Sequence, residues 1–116
     1  MIVTRLYTGT DNQSHFEEIE APFEARGNFG LFTLPEPAMA VFFREVPPGW
    51  IYTWHNVVCR EYVVMIGGSA EIETGSGEKR VFKPGDVLLA EDSTGQGHRT
   101  RVLGKTPWRQ VFVTLP

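Results

Sequence analysis

The chain has one cysteine, Cys59, among its 116 residues. It therefore forms no internal disulfide, and a reducing compartment is expected. It has no apolar run long enough to cross a bilayer. Its start, Met1-Ile-Val-Thr-Arg-Leu-Tyr-Thr8, lacks the basic start and long apolar run of a signal peptide. A cytoplasmic protein with no membrane partner is expected. Basic clusters are missing as well, and a net charge of −3 argues against nucleic acid as a partner. No segment shows a helical period. Gly67-Gly68 is expected to be a turn, and Gly95 and Gly97 to allow a tight path into the strand that follows. Neither pair leads into a helix start, so neither is a phosphate cradle. No serine or cysteine is paired with a histidine in a nucleophile pattern.

What the chain has is a rhythm of short strands and turns. Strands are expected at 2–8, 15–20, 38–46, 50–55, 61–66, 69–73, 79–82, 86–91, 98–103 and 109–115. Turn signals separate them, among them Pro47-Pro48-Gly49, Thr74-Gly75-Ser76-Gly77, Lys83-Pro84-Gly85 and Gly104-Lys105-Thr106-Pro107. Twelve glycines and eight prolines suit this pattern. The expected fold class is all-β, a sandwich or barrel. The length allows one domain, 1–116, with an irregular N-terminal arm over roughly 1–37 and a core over roughly 38–116. Segment 21–37 has three prolines and no clean period, and is expected to lie over the barrel.

Chemistry concentrates in Gly49-Trp-Ile-Tyr-Thr-Trp-His55-Asn-Val-Val-Cys-Arg-Glu61. This reads as a hairpin with His55 ending one strand and Glu61 opening the next, so the two side chains should be close. Strand alternation puts Glu61 on one face with Val63 and Met65, and His55 on one with Thr53 and Ile51. Trp50, Tyr52 and Trp54 then fall on the opposite face, as an outer cover against the arm or a second subunit or as a stacking platform for a ligand. His98 opens a later strand and could bring a third group to the same point. Two imidazoles and a carboxylate suit Fe, Mn, Ni, Zn or Cu and leave open positions for water or substrate. The same trio could instead be a hydrogen-bonded polar cluster without metal.

The spacing resembles the first motif of the cupins. Gly49, His55, Glu61 and Gly68 fall in register with it, and Val57 stands where that motif has a second histidine. Phe82-Lys-Pro-Gly-Asp-Val-Leu-Leu-Ala-Glu-Asp-Ser-Thr-Gly-Gln-Gly-His98 resembles the second motif. It is about two residues longer than usual, lacks a proline, and has Val102 where an asparagine is common. The resemblance covers roughly residues 40–115. It implies a jelly-roll β-barrel and a divalent transition metal at His55, Glu61 and His98. It further implies a dioxygenase, isomerase or lyase type of enzyme with a small-molecule ligand in the barrel. A non-catalytic binding or sensing protein that has lost its metal is the alternative, and a metal-free structural module the third. A homodimer is also expected by resemblance.

Other residues are assigned around that trio. Without metal, Glu61 becomes the candidate catalytic base, because burial raises a carboxyl pKa. Arg44, Tyr52 and Met65 are the substrate-binding candidates, with Arg44 a natural clamp for a carboxylate. Asn56 and Cys59 lie in the turn after His55 and could add a ligand. His15 could reach a pocket as an acid or base. Arg60, Arg99 and Arg101 are expected at solvent or an interface, and Glu91-Asp92 is expected to be a solvated turn.

Overall fold

A computed structural model describes all of residues 1–116. Twelve strands carry the fold: β1 (Ile2–Thr8), β2 (Ser14–Glu20), β3 (Glu24–Ala25), β4 (Leu31–Phe32), β5 (Ala40–Val46), β6 (Ile51–His55), β7 (Glu61–Gly67), β8 (Ser69–Thr74), β9 (Lys79–Phe82), β10 (Val87–Ala90), β11 (His98–Leu103) and β12 (Trp108–Thr114). The only helical piece is a single 3-10 turn at Gly27–Phe29. No helix is long and apolar enough to cross a membrane.

Two sheets hold these strands. One runs β2-β1-β10-β7-β12-β5 and the other β6-β11-β8-β9. All pairings in them are antiparallel except β1 with β10. The buried core lies between the sheets, with Leu6, Val63, Met65, Ile72, Phe82, Leu88, Val102, Trp108 and Phe112 at its centre. This is the jelly-roll arrangement expected of the sequence. Alternation explains which residues go inside: on β11, His98, Thr100 and Val102 are buried while Arg99 and Arg101 are exposed. The two arginines meet Glu73 and Glu71 on the neighbouring strand β8. Such exposed pairs stabilise by about 0–1 kcal/mol each.

Two expectations change here. The first twenty residues do not belong to an irregular arm: β1 and β2 are regular strands of the larger sheet, with Thr4 opposite Leu88 and Leu6 opposite Phe16. Irregular chain is confined to the stretch between β2 and β5, where β3 and β4 make a small ladder of their own. That stretch lies along the outer side of the larger sheet: Leu34, Pro35 and Glu36 border a groove with Val3, Ile19, Tyr62 and Leu89, and the Tyr62 hydroxyl donates to the Glu36 carboxylate.

The second change concerns the face of β6. His98 pairs with His55 but Thr100 pairs with Tyr52, so β6 carries one more residue than β11 across this interval. This is a β-bulge, which re-aims side chains within a strand. It brings Tyr52 to the cavity on the side of His55 and Trp50 against the core, although Tyr52 stays 44% exposed, and it leaves Ile51 at solvent. Trp54 alone of the three aromatics stays outside, beneath the Arg99 guanidinium at 4.9 Å. The exposed apolar surface lies elsewhere, on Phe29, Leu31, Leu34, Met39, Val41 and Phe43.

Candidate functional site

A cavity of about 380 Å³ opens between the sheets. Its wall is mostly apolar, with Val63, Met65, Ile72, Leu88 and Phe112 among the lining residues. His55, Glu61, His98, Arg44 and Tyr52 face it as well. All six residues assigned from sequence to metal, catalysis or substrate therefore border one space. A volume of this size suits a small organic molecule.

The two histidines meet across the β6–β11 pairing. Their ring centroids are 4.2 Å apart in an edge-to-face arrangement, and Tyr52 packs edge-on against His55 at 3.9 Å. Each imidazole is held by Nδ1. His55 Nδ1 lies 2.6 Å from the Thr53 carbonyl oxygen. His98 Nδ1 lies 2.6 Å from Asp92 Oδ2. A carbonyl and a carboxylate only accept, so both Nδ1 atoms carry the proton. Neither Nε2 has a hydrogen-bond partner in the protein.

Asp92 is the functional residue that the sequence reading missed. The sequence alone suggests a solvated turn at this position. Asp92 is 0% exposed, and its Oδ2 also accepts from the Ser14 hydroxyl at 2.7 Å. Its neighbour Glu91 does belong to the surface, held between Arg5 and Arg60. One signal was available: Asp92 lies on the His98 side of a strand that ends at Ala90, inside the second motif. The 92–95 loop is pinned by Asn56, whose Nδ2 donates to the carbonyls of Asp92, Thr94 and Gly95. That amide nitrogen is a clasp between the two loops. Cys59 borders the cavity as a free thiol.

The electrostatics follow from burial. Desolvation pushes Glu61 above the usual carboxylate range, opposed by Arg44 and His98. Desolvation pulls Arg44 down, opposed by Glu61 and Tyr52. It also pulls His55 down to about 4, with the Thr53 carbonyl opposing and His98 adding to the drop. His55 is therefore neutral near pH 7, as a metal-ligating or hydrogen-bonding imidazole must be.

Linkage fixes the sign of one pH effect. The unfolded imidazole titrates near 6.5 and the folded one near 4. The unfolded state binds more protons in that window, so the stability supplied by His55 is complete above about pH 6.5 and is lost as pH falls toward 4. Thermal melts between pH 4 and 7 should show a falling midpoint with acid, and a shallower fall in His55→Gln. Identical slopes for the two proteins would remove His55 as the source.

Glu61 faces the cavity, but no three His, Cys, Asp or Glu side chains stand close enough to hold a metal ion as the side chains are placed. Val57 occupies the position of the second motif histidine and packs against the core. His15 lies apart from all of this, at the surface between Asp11 and Glu78.

No protein-family model matches the chain. Curated relatives do. The chain is 34% identical over 89 residues to the oryzines biosynthesis cluster protein J of Aspergillus oryzae, covering 76% of this chain and 48% of that protein. It is 29% identical over 101 residues to a cupin-domain-containing oxidoreductase of Neurospora crassa, covering 81% of this chain and 50% of that protein. A second cupin-domain-containing oxidoreductase, from Hypocrea virens, is 31% identical over 71 residues, 61% of this chain and 37% of that protein. The chain spans about half or less of the length of these relatives. Among solved structures, a conserved protein of unknown function from Streptococcus pyogenes matches with a TM-score of 0.51 at 13% identity, over 72% of this chain and 70% of that one. That likeness is one of fold. With the paired sheets and the two motifs, the chain has a cupin-like jelly roll and is similar in sequence to proteins named cupin-domain-containing oxidoreductases.

Proposed function

We propose that the cavity is the active site of a metal-dependent enzyme acting on a small molecule, of oxidoreductase, isomerase or lyase type. The observation that supports this best is the pair of free Nε2 atoms on His55 and His98, each presented by an Nδ1–H held from behind. Metal-binding imidazoles are fixed in this way, commonly by a carboxylate such as Asp92. The donor set thus fits a divalent transition metal. His55 and His98 would hold it by Nε2, and Glu61, which faces them from β7 of the other sheet, is the carboxylate that would complete the set. Such a metal supplies Lewis acidity and, if redox-active, electron exchange.

The chain's own residues do the rest. Asp92 and the Thr53 carbonyl orient the two rings. The apolar wall keeps water from the reacting atoms and strengthens every charge interaction there. Glu61, its pKa raised by burial, is placed to hold or release a proton. The relatives named oxidoreductases support enzymatic use of the site.

Elemental analysis by mass spectrometry, on untagged protein prepared without chelator, tests this. Near-stoichiometric Fe, Mn, Ni, Zn or Cu is expected, with loss in His98→Ala. No metal in either sample, even after anaerobic reconstitution with Fe(II), would overturn the proposal and leave a metal-free binding protein. Val57, which removes one ligand of the usual set, is the feature that favours that outcome.

A further inference from the structure

The wall of the cavity opposite the histidines carries a charge that no carboxylate of the protein contacts. Arg5, Arg60, Arg80, Arg99, Arg101 and Arg109 each meet a carboxylate. Arg44 meets none. It points inward from β5, a strand whose other residues are mostly exposed. Its guanidinium carbon stands 4.9 Å from the ring centre of Phe112, 5.3 Å from Trp50 and 5.4 Å from Trp108. Aromatic faces hold a guanidinium in place without neutralising it.

One hydrogen bond fixes the group further. Arg44 Nε donates to Gln110 Oε1 at 2.9 Å, across the β5–β12 pairing in which the two residues are directly opposite. Because a guanidinium only donates, this bond sets the Gln110 amide the one way round, with its oxygen toward Arg44. Gln110 Nε2 is then left without a partner, although the residue is 1% exposed. Trp108 Nε1 is likewise buried and unpartnered, on a residue that is 2% exposed. Buried polar groups without partners are rare in folded proteins. Here two occur together, beside an arginine whose terminal nitrogens are also free, and all three residues line the same cavity. Every unanswered group is a donor, so the missing partner is an acceptor. The fork of Arg44 matches a carboxylate in two-point contact.

We propose that this wall is an anion subsite, and that the ligand of the cavity is an organic acid whose carboxylate is bound by Arg44 with Gln110 and Trp108. The proposal rests on the reading of the cavity as a small-molecule site. Its place is set by the β5–β12 pairing, whereas the histidines come from β6 and β11. The remainder of such an acid would lie along Val63, Met65 and Ile72, with its reacting end toward the imidazoles. Glu61 is the one carboxylate on the lining, and it forms no ion pair with Arg44, so the fork is free to take a ligand.

Calorimetric titration of metal-free protein tests it, with 3-phenylpropionate and adipate as probes and 3-phenylpropanamide as the neutral match. Saturable binding of at least one acid is expected, weakened about 10- to 100-fold in the amide and in Arg44→Gln. Arg44→Lys, which keeps the charge and loses the fork, should recover part of the difference. A thermal melt of each variant confirms that it is folded. Equal binding of acid and amide, undiminished binding to folded Arg44→Gln, or no binding of either acid at millimolar concentration would overturn the subsite. His98→Ala separates this from the metal reading: it should lose metal and keep acid binding. Loss of acid binding in Arg44→Gln with metal uptake intact is the complementary result.

Discussion

Replacing Gly97 by alanine should destabilise the protein by about 3 kcal/mol or more, a drop in melting temperature of over about 10 °C for a chain of this size. Gly97 has φ of +77°, where a Cβ is strained, and the added carbon would fall inside the van der Waals radius of the His55 carbonyl oxygen and against its carbon. Both are backbone atoms, so no side chain can swing away. Relief would come from pushing β6 off β11, which separates His55 from His98. Metal or ligand binding should therefore fail together with stability. Gly104→Ala is the control: φ is +69° there too, but nothing lies within 4 Å. Its loss should be only the backbone strain, about 1–2 kcal/mol. Equal losses for the two variants, measured by urea unfolding, would mean that the close approach at Gly97 is not what matters.

Asp92→Ala should rank next, at about 3 kcal/mol. It strands the Ser14 hydroxyl and His98 Nδ1 in a place where water does not reach. Asp92→Asn should lose less, because the amide oxygen still accepts. The asparagine variant separates stability from site chemistry. With the negative charge gone, His98 Nδ1–H keeps only a weaker, neutral acceptor, so the ring is oriented less firmly and is less basic, and any metal affinity should drop about 10- to 100-fold. Unfolding curves give the first quantity and competitive metal titration the second. Native affinity and native stability in Asp92→Asn would reduce Asp92 to a space-filling role.

Strand positions were legible in the sequence because turns are marked by particular residues: Pro84-Gly85 and Thr74-Gly75 break the chain where the structure breaks it. The placing of His55, Glu61, His98 and Met65 on one cavity was legible from alternation and from the motifs. Two things were not. Alternation assumes a regular ladder, and the bulge in β6 violates it, so the inward turn of Trp50 and Tyr52 was misjudged. Burial of an acidic residue has no local mark either. Asp92 follows Glu91 in the chain, yet one is fully enclosed by Ser14 and His98 and the other is tied to Arg5 and Arg60. Only the third dimension distinguishes them. Similarly, Asn56 could be placed near His55 but not assigned to the 92–95 loop that its amide clasps.

The pairing of β1 with β10, which sets Thr4 beside Leu88, has a consequence in time. A strand at the start of the chain finds its partner more than two-thirds of the way along it, and β5 waits for β12 in the same fashion. Closing such loops is paid in chain entropy before any contact rewards it. Proteins of this kind fold on the order of milliseconds to seconds, where helical bundles take microseconds to milliseconds. His55 and His98 are brought together by this slow closure of β6 on β11. The imidazole pair is thus assembled by a pairing distant in the chain, not by neighbours in sequence.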